Sequence, residues 1–226
     1  MSIFNKAVAK CGNCGNEQGA SLAASVNADR RPDLRDAILD GSFQAEPCEK
    51  CGTALRLPAH LTYMDVARGQ WILVHDVSAL PQWEAEEAQA REIFEENFGA
   101  DAPPASRDIG ADLTPRLVFG WPALREKLIA ADISVKDLPL ELLKITVVRD
   151  VPNAPVADQT ELRLTGGDDA VLHFAWVNSC TEEAISGLDV PREVYRDIEE
   201  QPEDWIDLNE KFEGALFVDM KRLILA

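Results

Sequence analysis

The chain has 226 residues, of which 46 % are hydrophobic, and a formal net charge of −18 at pH 7. This apolar content supports a packed core and excludes a globally disordered chain, and no apolar run has the length of a signal peptide or a transmembrane helix. Residues 1–60 carry seven basic and seven acidic residues, so the whole acidic excess lies beyond them. Nucleic-acid binding generally needs a cationic surface, and the composition therefore disfavours it.

The first feature along the chain is a short motif that occurs twice, as Cys11-Gly12-Asn13-Cys14-Gly15 and Cys48-Glu49-Lys50-Cys51-Gly52. Two such pairs supply four thiolates, which is the full ligand set of a structural Zn²⁺ ion. The glycine after each second cysteine can adopt the positive φ that a tight turn around a metal requires. We therefore predict a structural zinc site whose ligands are Cys11, Cys14, Cys48 and Cys51.

Two other interpretations of the motifs stay open. A thioredoxin-type redox dithiol also uses Cys-x-x-Cys, but it normally occurs once, at a strand-to-helix junction. An iron–sulfur centre accepts four cysteines as well, and the sequence does not distinguish iron from zinc. Reduced cysteine pairs are typical of the cytosol, so we expect a cytoplasmic protein.

The segments around the two motifs predict a small sheet with an inserted helix. Residues 18–28 are expected to form a strand, and a helix begins at Pro32 and ends at Gly41. Further strands are predicted over Phe43–Glu46, Thr53–Leu57, Leu61–Val66 and Trp71–His75, the last two forming a hairpin. We expect these strands to form an antiparallel, zinc-ribbon-like sheet anchored at the metal.

The middle of the chain is predicted to be helical. An acidic helix runs from Pro81 to Phe98, and its buried stripe contains Trp83, Ala90, Ile93 and Phe94. Its glutamates are expected to face water: Glu84, Glu86, Glu87, Glu92, Glu95 and Glu96. Residues 99–115 contain three prolines and predict a loop or linker, and two more helices follow over 121–132 and 137–147.

Val151–Gln159 contains two prolines and is the predicted boundary between a domain of residues 1–150 and a region of residues 160–226. Beyond it, Glu161–Leu164 and Ala170–Val177 predict a second hairpin whose Leu172, Phe174 and Trp176 share a core face. A helix is expected from Pro191, and the apolar residues 215–225 are expected to dock as a strand or helix. The predicted class is α+β, with a zinc-ribbon-like sheet, then helices, then a smaller α+β region.

The order of these segments resembles a known family. Met1–Lys6 leads into the first motif, followed by Ser25–Asp29, Leu34–Phe43, the second motif, Leu61–Asp65, and Arg116–Phe119 through Lys144. This arrangement is similar to the bacterial CpXC proteins, named for twin Cys-Pro-x-Cys motifs, over about residues 1–149. The proline of each motif is replaced here, by Gly12 and Glu49, while all four cysteines remain. The resemblance implies a zinc-binding domain and implies no activity.

The remaining residues predict no catalytic site. The sequence contains no phosphate-binding glycine loop, His-Glu-x-x-His or Gly-x-Ser-x-Gly motif. His60, His75 and His173 lie in or beside predicted strands and are expected to be structural or surface residues. Cys180 follows an apolar strand and is expected to be a buried, unreactive thiol.

A tetrathiolate zinc is coordinatively closed, so we predict a non-enzymatic zinc-binding protein that acts as a protein-interaction or regulatory module. A homo-oligomer formed through an exposed sheet edge is a further expectation. The alternatives are a thiol redox sensor or oxidoreductase that uses the cysteine pairs, and a nucleic-acid-binding zinc ribbon. Hydrolysis at an acidic cluster has no motif in its favour.

Overall fold

The computed structural model describes residues 2–151, 154–155 and 159–225. It confirms the predicted α+β class, with a sheet in the N-terminal part, then helices, then a smaller C-terminal sheet. The strands are β1 Ile3–Lys10, β2 Glu17–Asn27, β3 Ala45–Pro47, β4 Ala54–Arg56, β5 Leu61–Asp65, β6 Gln70–His75, β7 Thr114–Phe119, β8 Thr160–Gly167, β9 Val171–Asn178 and β10 Ala184–Pro191. The α-helices are α1 Pro32–Asp40, α2 Trp83–Phe98, α3 Pro104–Ala111, α4 Trp121–Asp132, α5 Asp137–Asp150, α6 Arg192–Glu200, α7 Ile206–Phe212 and α8 Lys221–Leu225.

The larger sheet has the strand order β1-β2-β5-β6-β7 and is mixed. The predicted β5–β6 hairpin is confirmed, but β2 pairs parallel with β5, so the expectation of an antiparallel sheet is wrong at this pair. Strand β7, which pairs parallel with β6, was not predicted. Parallel neighbours need crossover connections. Here α1 with the separate β3–β4 hairpin connects β2 to β5, and α2 with α3 connects β6 to β7.

Both faces of this sheet are covered. Ile72 and Val74 of β6 belong to a buried cluster with residues of α1 and α4, among them Ile38 and Leu124. The alternate residues of β6, Trp71 and Leu73, pack on the other side with α2 and the C-terminal segment. A strand that is buried on both faces has a continuous run of apolar residues in its sequence, as Trp71–Val74 does.

The loop predicted over residues 99–115 is wrong, because the segment contains α3 and the start of β7. Its prolines are compatible with these elements. Pro104 occupies the first turn of α3, where the missing amide has no helical partner, and Pro115 lies in the edge strand β7. In this segment the prolines therefore lie at the start of a helix and in an edge strand, and they do not indicate a loop.

Glu87, predicted to face water, is buried and holds the C-terminal segment. Its Oε1 accepts hydrogen bonds from the amides of Leu216 and Phe217, at 2.7 and 2.8 Å. The carbonyl of Leu216 in turn accepts the amide of Leu117 at 2.9 Å, so this segment covers the β7 edge of the sheet. The predicted docking of residues 215–225 therefore takes the form of a buried, irregular segment followed by the short helix α8.

The smaller sheet has the order β10-β9-β8. The predicted β8–β9 hairpin and the buried face formed by Leu172, Phe174 and Trp176 are confirmed. Strand β10 was not predicted, because it is a mostly exposed edge with little apolar alternation. Residues of α5, α6 and this sheet form one hydrophobic cluster. The division into residues 1–150 and 160–226 stays a prediction, since 152–153 and 156–158 of its boundary lie outside the described residues.

A buried ionic network lies between α4, α5 and β8. The Lys144 ammonium is fully buried, 2.9 Å from Glu126 Oε1 and 2.8 Å from Glu141 Oε2. Arg163 Nη1 lies 3.0 Å from Glu126 Oε1 and 2.7 Å from Asp219 Oδ2, which links the C-terminal segment to the same network. Burial raises the pKa of Glu141 to about 7 against the attraction of Lys144. A buried charge that loses its partner is strongly destabilising, so this network constrains how the elements pack.

Candidate metal centre

The four cysteines of the two motifs meet at one point. Their Sγ atoms all lie within 4.8 Å of one another. Two contacts cross between the motifs, with Cys11 Sγ 3.7 Å from Cys51 Sγ and Cys14 Sγ 3.7 Å from Cys48 Sγ. A tetrahedral ion with metal–sulfur bonds of about 2.3 Å places its sulfur ligands about 3.8 Å apart. The cluster therefore fits a tetrahedral metal ion.

The two motifs fold into equivalent turns. Cys11 donates its amide to Asn16 O, and Cys48 donates to Thr53 O, both at 2.8 Å. Within each turn the glycine amide donates a hydrogen bond to the carbonyl of the first cysteine, from Gly15 to Cys11 O and from Gly52 to Cys48 O. The predicted positive φ is confirmed at both glycines, at 69° and 72°. The first turn closes the β1–β2 hairpin and the second closes the β3–β4 hairpin, so the sulfurs join two hairpin tips.

Polar side chains that sequence reasoning missed connect the two hairpins. Gln18 is buried in β2, where its Nε2 donates to Pro47 O at 3.1 Å and its Oε1 accepts the Glu49 amide at 2.9 Å. Asn13 donates from Nδ2 to Thr53 Oγ1 at 3.0 Å. A glutamine in a strand and an asparagine between two cysteines carry no distinctive sequence signal, because either is common on a protein surface.

The thiols differ in their electrostatic surroundings. The Thr53 hydroxyl and amide lower the pKa of Cys51 to about 6, and the amides of Cys51 and Lys50 lower that of Cys48 against burial. The Asn16 amide favours the Cys14 thiolate, but burial and the neighbouring cysteine sulfurs raise the pKa of Cys14 to about 12. Four thiolates this close repel one another, which disfavours deprotonation of all four thiols, and a bound cation would offset that repulsion.

The family model that matches this chain is that of the CpXC protein, over residues 9–144. The match covers more than half of the sequence and includes all four cysteines. The chain belongs to the CpXC family. No curated protein and no solved structure matches this CpXC chain.

The family match confirms the predicted resemblance, and the clustered sulfurs show that this CpXC chain could hold a metal ion. Both positions that differ from the family's twin Cys-Pro-x-Cys pattern, Gly12 and Glu49, are exposed in the structure. Among the described residues, no helix is long and apolar enough to cross a membrane.

Other residues singled out in the sequence lie elsewhere. Cys180 is exposed, so the prediction that it is buried is wrong; it lies in the turn after β9, where Asn178 Oδ1 accepts its amide. His75 is buried and stacks on His60 at 4.9 Å between ring centroids, and burial lowers the pKa of His75 despite Glu86 nearby. His173 is exposed beside Asp189. These groups do not converge on the cysteine cluster.

Proposed function

We propose that this CpXC protein is a cytoplasmic, non-enzymatic zinc protein in which a structural tetrathiolate centre holds two hairpins together and the surface binds another protein. The observation that carries the proposal is the cluster of four sulfurs at tetrahedral spacing. Zinc favours this tetrahedral all-sulfur geometry, and four protein ligands leave no open position for water or substrate.

A structural role follows from what the cluster joins. The apolar residues around the sulfurs are few: Ala9, Cys11, Cys14, Cys48 and Leu55. So small a cluster buries little apolar surface, whereas structural zinc in small peptides contributes on the order of 10–16 kcal/mol at neutral pH. The metal would therefore supply most of the stability of the two hairpin tips.

The arrangement of the sulfurs supports a shared metal site over a redox dithiol, because the 3.7 Å contacts join Cys11 to Cys51 and Cys14 to Cys48, across the two motifs, whereas a Cys-x-x-Cys dithiol pairs within one motif. Redox-active cysteines need an accessible, low-pKa thiolate. Cys11 and Cys48 are only 1 and 2 % exposed, and each motif therefore has one inaccessible partner. Cys51 is exposed and has a lowered pKa, so it is the residue through which a redox activity would operate.

Thiol titration tests the closed zinc site. Reaction of the reduced protein with an aromatic disulfide reagent should modify Cys180 rapidly, and the remaining four thiols should react only after a chelator is added. Zinc release, followed with a colorimetric indicator, should accompany that second phase. The Cys180→Ser variant is the matched control and should lose the fast phase. Fast reaction of Cys51 without chelator and without zinc release would favour the redox alternative.

The interaction part of the proposal rests on the acidic surface and on the absence of a catalytic motif in the sequence. A high net charge keeps a protein soluble, and the local charge of each surface, more than the net charge, determines which partners that surface attracts. Chemical crosslinking of the protein in native lysate, followed by mass spectrometry, should recover the same partner in independent repeats. Repeated failure to recover one would contradict this part and leave the zinc site unaffected.

A further inference from the structure

The two edges of the larger sheet differ in how they are covered. At β7 the chain covers its own edge, because the Leu117 amide donates to Leu216 O and Glu87 fixes the segment that carries this carbonyl. At β1 no described residue pairs with the outer side of the strand. An uncovered edge strand offers a row of free amides and carbonyls to another chain.

The β1 edge is long and partly apolar. Ile3, Phe4 and Val8 are 49, 39 and 70 % exposed, so three large apolar side chains of this one strand are accessible to solvent. The Cys11-to-Asn16 hydrogen bond and the register with β2 make Ala7 and Ala9 hydrogen-bonded positions. In an antiparallel ladder the intervening residues direct their backbone groups outward, so the amide of Val8 points to the free edge.

The charge on β1 selects among partners for this edge. The strand contains Lys6 and Lys10 and no acidic residue, although the whole chain has a net charge of −18. A second copy pairing through the same edge would bring four lysines together, and lysine on an edge strand disfavours such self-pairing. An incoming strand with carboxylates would instead place opposite charges across the pair.

A groove runs beside the edge. It has a volume of about 360 Å³ and lies between the β1–β2 hairpin and β4, next to the metal-binding turns. Its lining combines the cationic side chains of Lys10 and Arg56 with small and apolar residues: Ala7, Ala9, Leu22, Ala54, Leu55 and Leu57. Strand-addition sites commonly combine backbone pairing with pockets for alternate side chains of the added strand.

We propose that the β1 edge binds an extended segment of another protein by strand addition, in which apolar residues alternate with Asp or Glu. The apolar side chains enter the groove, and the carboxylates approach Lys6 and Lys10. This inference rests on the proposed interaction function and names its surface and the chemistry of its partner. Because the metal-binding turns close both hairpins that line the groove, zinc would hold its shape.

The test uses a phage library of random twelve-residue peptides selected on the full-length zinc-loaded protein. We expect enrichment of sequences in which apolar residues alternate with Asp or Glu. A synthetic peptide of the enriched sequence should bind at least tenfold more weakly to Val8→Pro. That substitution removes an outward amide and leaves the bonds to β2 in place. It should also bind more weakly to Lys6→Glu, which needs no backbone change and, unlike a charge reversal at Lys10, places no like charge opposite Glu17 of β2.

Ile206→Ser is the control, because Ile206 is an exposed apolar residue, 54 % accessible, on α7, beside a cavity that shares no lining residue with the groove. It should leave binding unchanged. Circular dichroism and zinc content verify that each variant is folded. Failure to enrich an alternating acidic sequence, or unchanged binding by both β1 variants, would overturn the inference.

If both β1 variants bind the peptide as tightly as the wild type does, the protein binds peptides through another surface, and the proposed interaction function is retained. A dimer in sedimentation velocity that Val8→Pro dissociates would also overturn the inference, because a second copy would then occupy the edge.

Discussion

At the scale of single residues, the metal-binding turns depend on backbone conformation more than on side-chain contacts. Gly15 and Gly52 have φ of 69° and 72°, yet a Cβ built at either would meet no atom within 4 Å. Space is therefore available for a larger residue. The left-handed conformation itself selects glycine, because it costs other residues roughly 1–2 kcal/mol.

We predict that Gly15→Ala lowers the free energy of unfolding by about 1 kcal/mol and weakens metal affinity to a similar extent. Gly12→Ala is the matched control in the same turn, because its φ is not positive and its Cβ would also meet no atom. Chemical denaturation and competition with a zinc chelator measure the two effects. Equal behaviour of the two variants would contradict the conformational explanation.

A second prediction at this scale concerns Asp137. Burial alone would raise its pKa, but Lys127 and Arg116 outweigh burial and lower the pKa to about 2. Arg116 Nε lies 2.5 Å and Lys127 Nζ 3.0 Å from its carboxylate oxygens. An acid whose pKa is lowered on folding stabilises the protein above its unfolded pKa, and that contribution is lost as the pH falls towards the folded value.

We therefore expect Asp137→Asn to lower the free energy of unfolding by about 2 kcal/mol at pH 7. The difference in unfolding free energy between the variant and the wild type should narrow as the pH falls below about 4. Urea unfolding of both proteins at a series of pH values measures the gap, and loss of metal at low pH affects both alike. The exposed Asp101→Asn variant should remain within about 0.5 kcal/mol of wild type. A gap that is independent of pH would contradict the assigned pKa.

At the scale of elements, the C-terminal segment is held by side chains from distant parts of the sequence. Glu87 of α2 accepts two of its amides and pairs with Arg222 at 2.9 Å, and Lys127 Nζ donates to Val218 O at 2.9 Å. Burial opposes the charge on Glu87, but the Phe217 and Leu216 amides and Arg222 lower its pKa below its usual value. One carboxylate thus joins α2, α8 and the segment that covers β7.

We predict that Glu87→Ala lowers the free energy of unfolding by about 2–4 kcal/mol, because it leaves two buried amides unpaired and Arg222 without its partner. Glu92→Ala, at an exposed position of the same helix, should change it by less than about 0.5 kcal/mol. Hydrogen exchange should show faster exchange of the Leu216 and Phe217 amides in Glu87→Ala. Retained protection of both amides would refute the bridging role.

Local patterns predicted much of this architecture. The helices 121–132 and 137–147 and both hairpins are present because their apolar spacing matches the faces they bury. The pairing of strands that are distant in sequence could not be predicted from local patterns, because tertiary packing determines the parallel partners of β5 and β7. Glu87 and the Glu126–Lys144 pair were missed for the same reason: a buried charge looks in sequence like any surface charge. At the metal centre, spacing predicted the four cysteines, but nothing marked Gln18, whose role depends on the neighbouring hairpin.

At the scale of the whole molecule, charge separates the metal-binding part from the rest. Residues 1–60 are neutral overall, and the acidic excess lies in the part that contains most of the helices and the smaller sheet. The free β1 edge belongs to the neutral part, where long-range repulsion of an acidic partner segment is smallest. The same part contains all four clustered cysteines. Metal loading and partner binding are therefore expected to depend on each other.

Native mass spectrometry of the untagged protein, beside its Cys48→Ser variant, tests the central claim most directly. We predict one zinc ion per wild-type chain, retained against mild chelation. The variant should carry little or no zinc and should be severely destabilised over residues 1–77, because structural zinc contributes on the order of 10–16 kcal/mol in small peptides. Iron in place of zinc, a metal-free wild type, or a Cys48→Ser variant as stable as wild type would contradict the structural zinc centre.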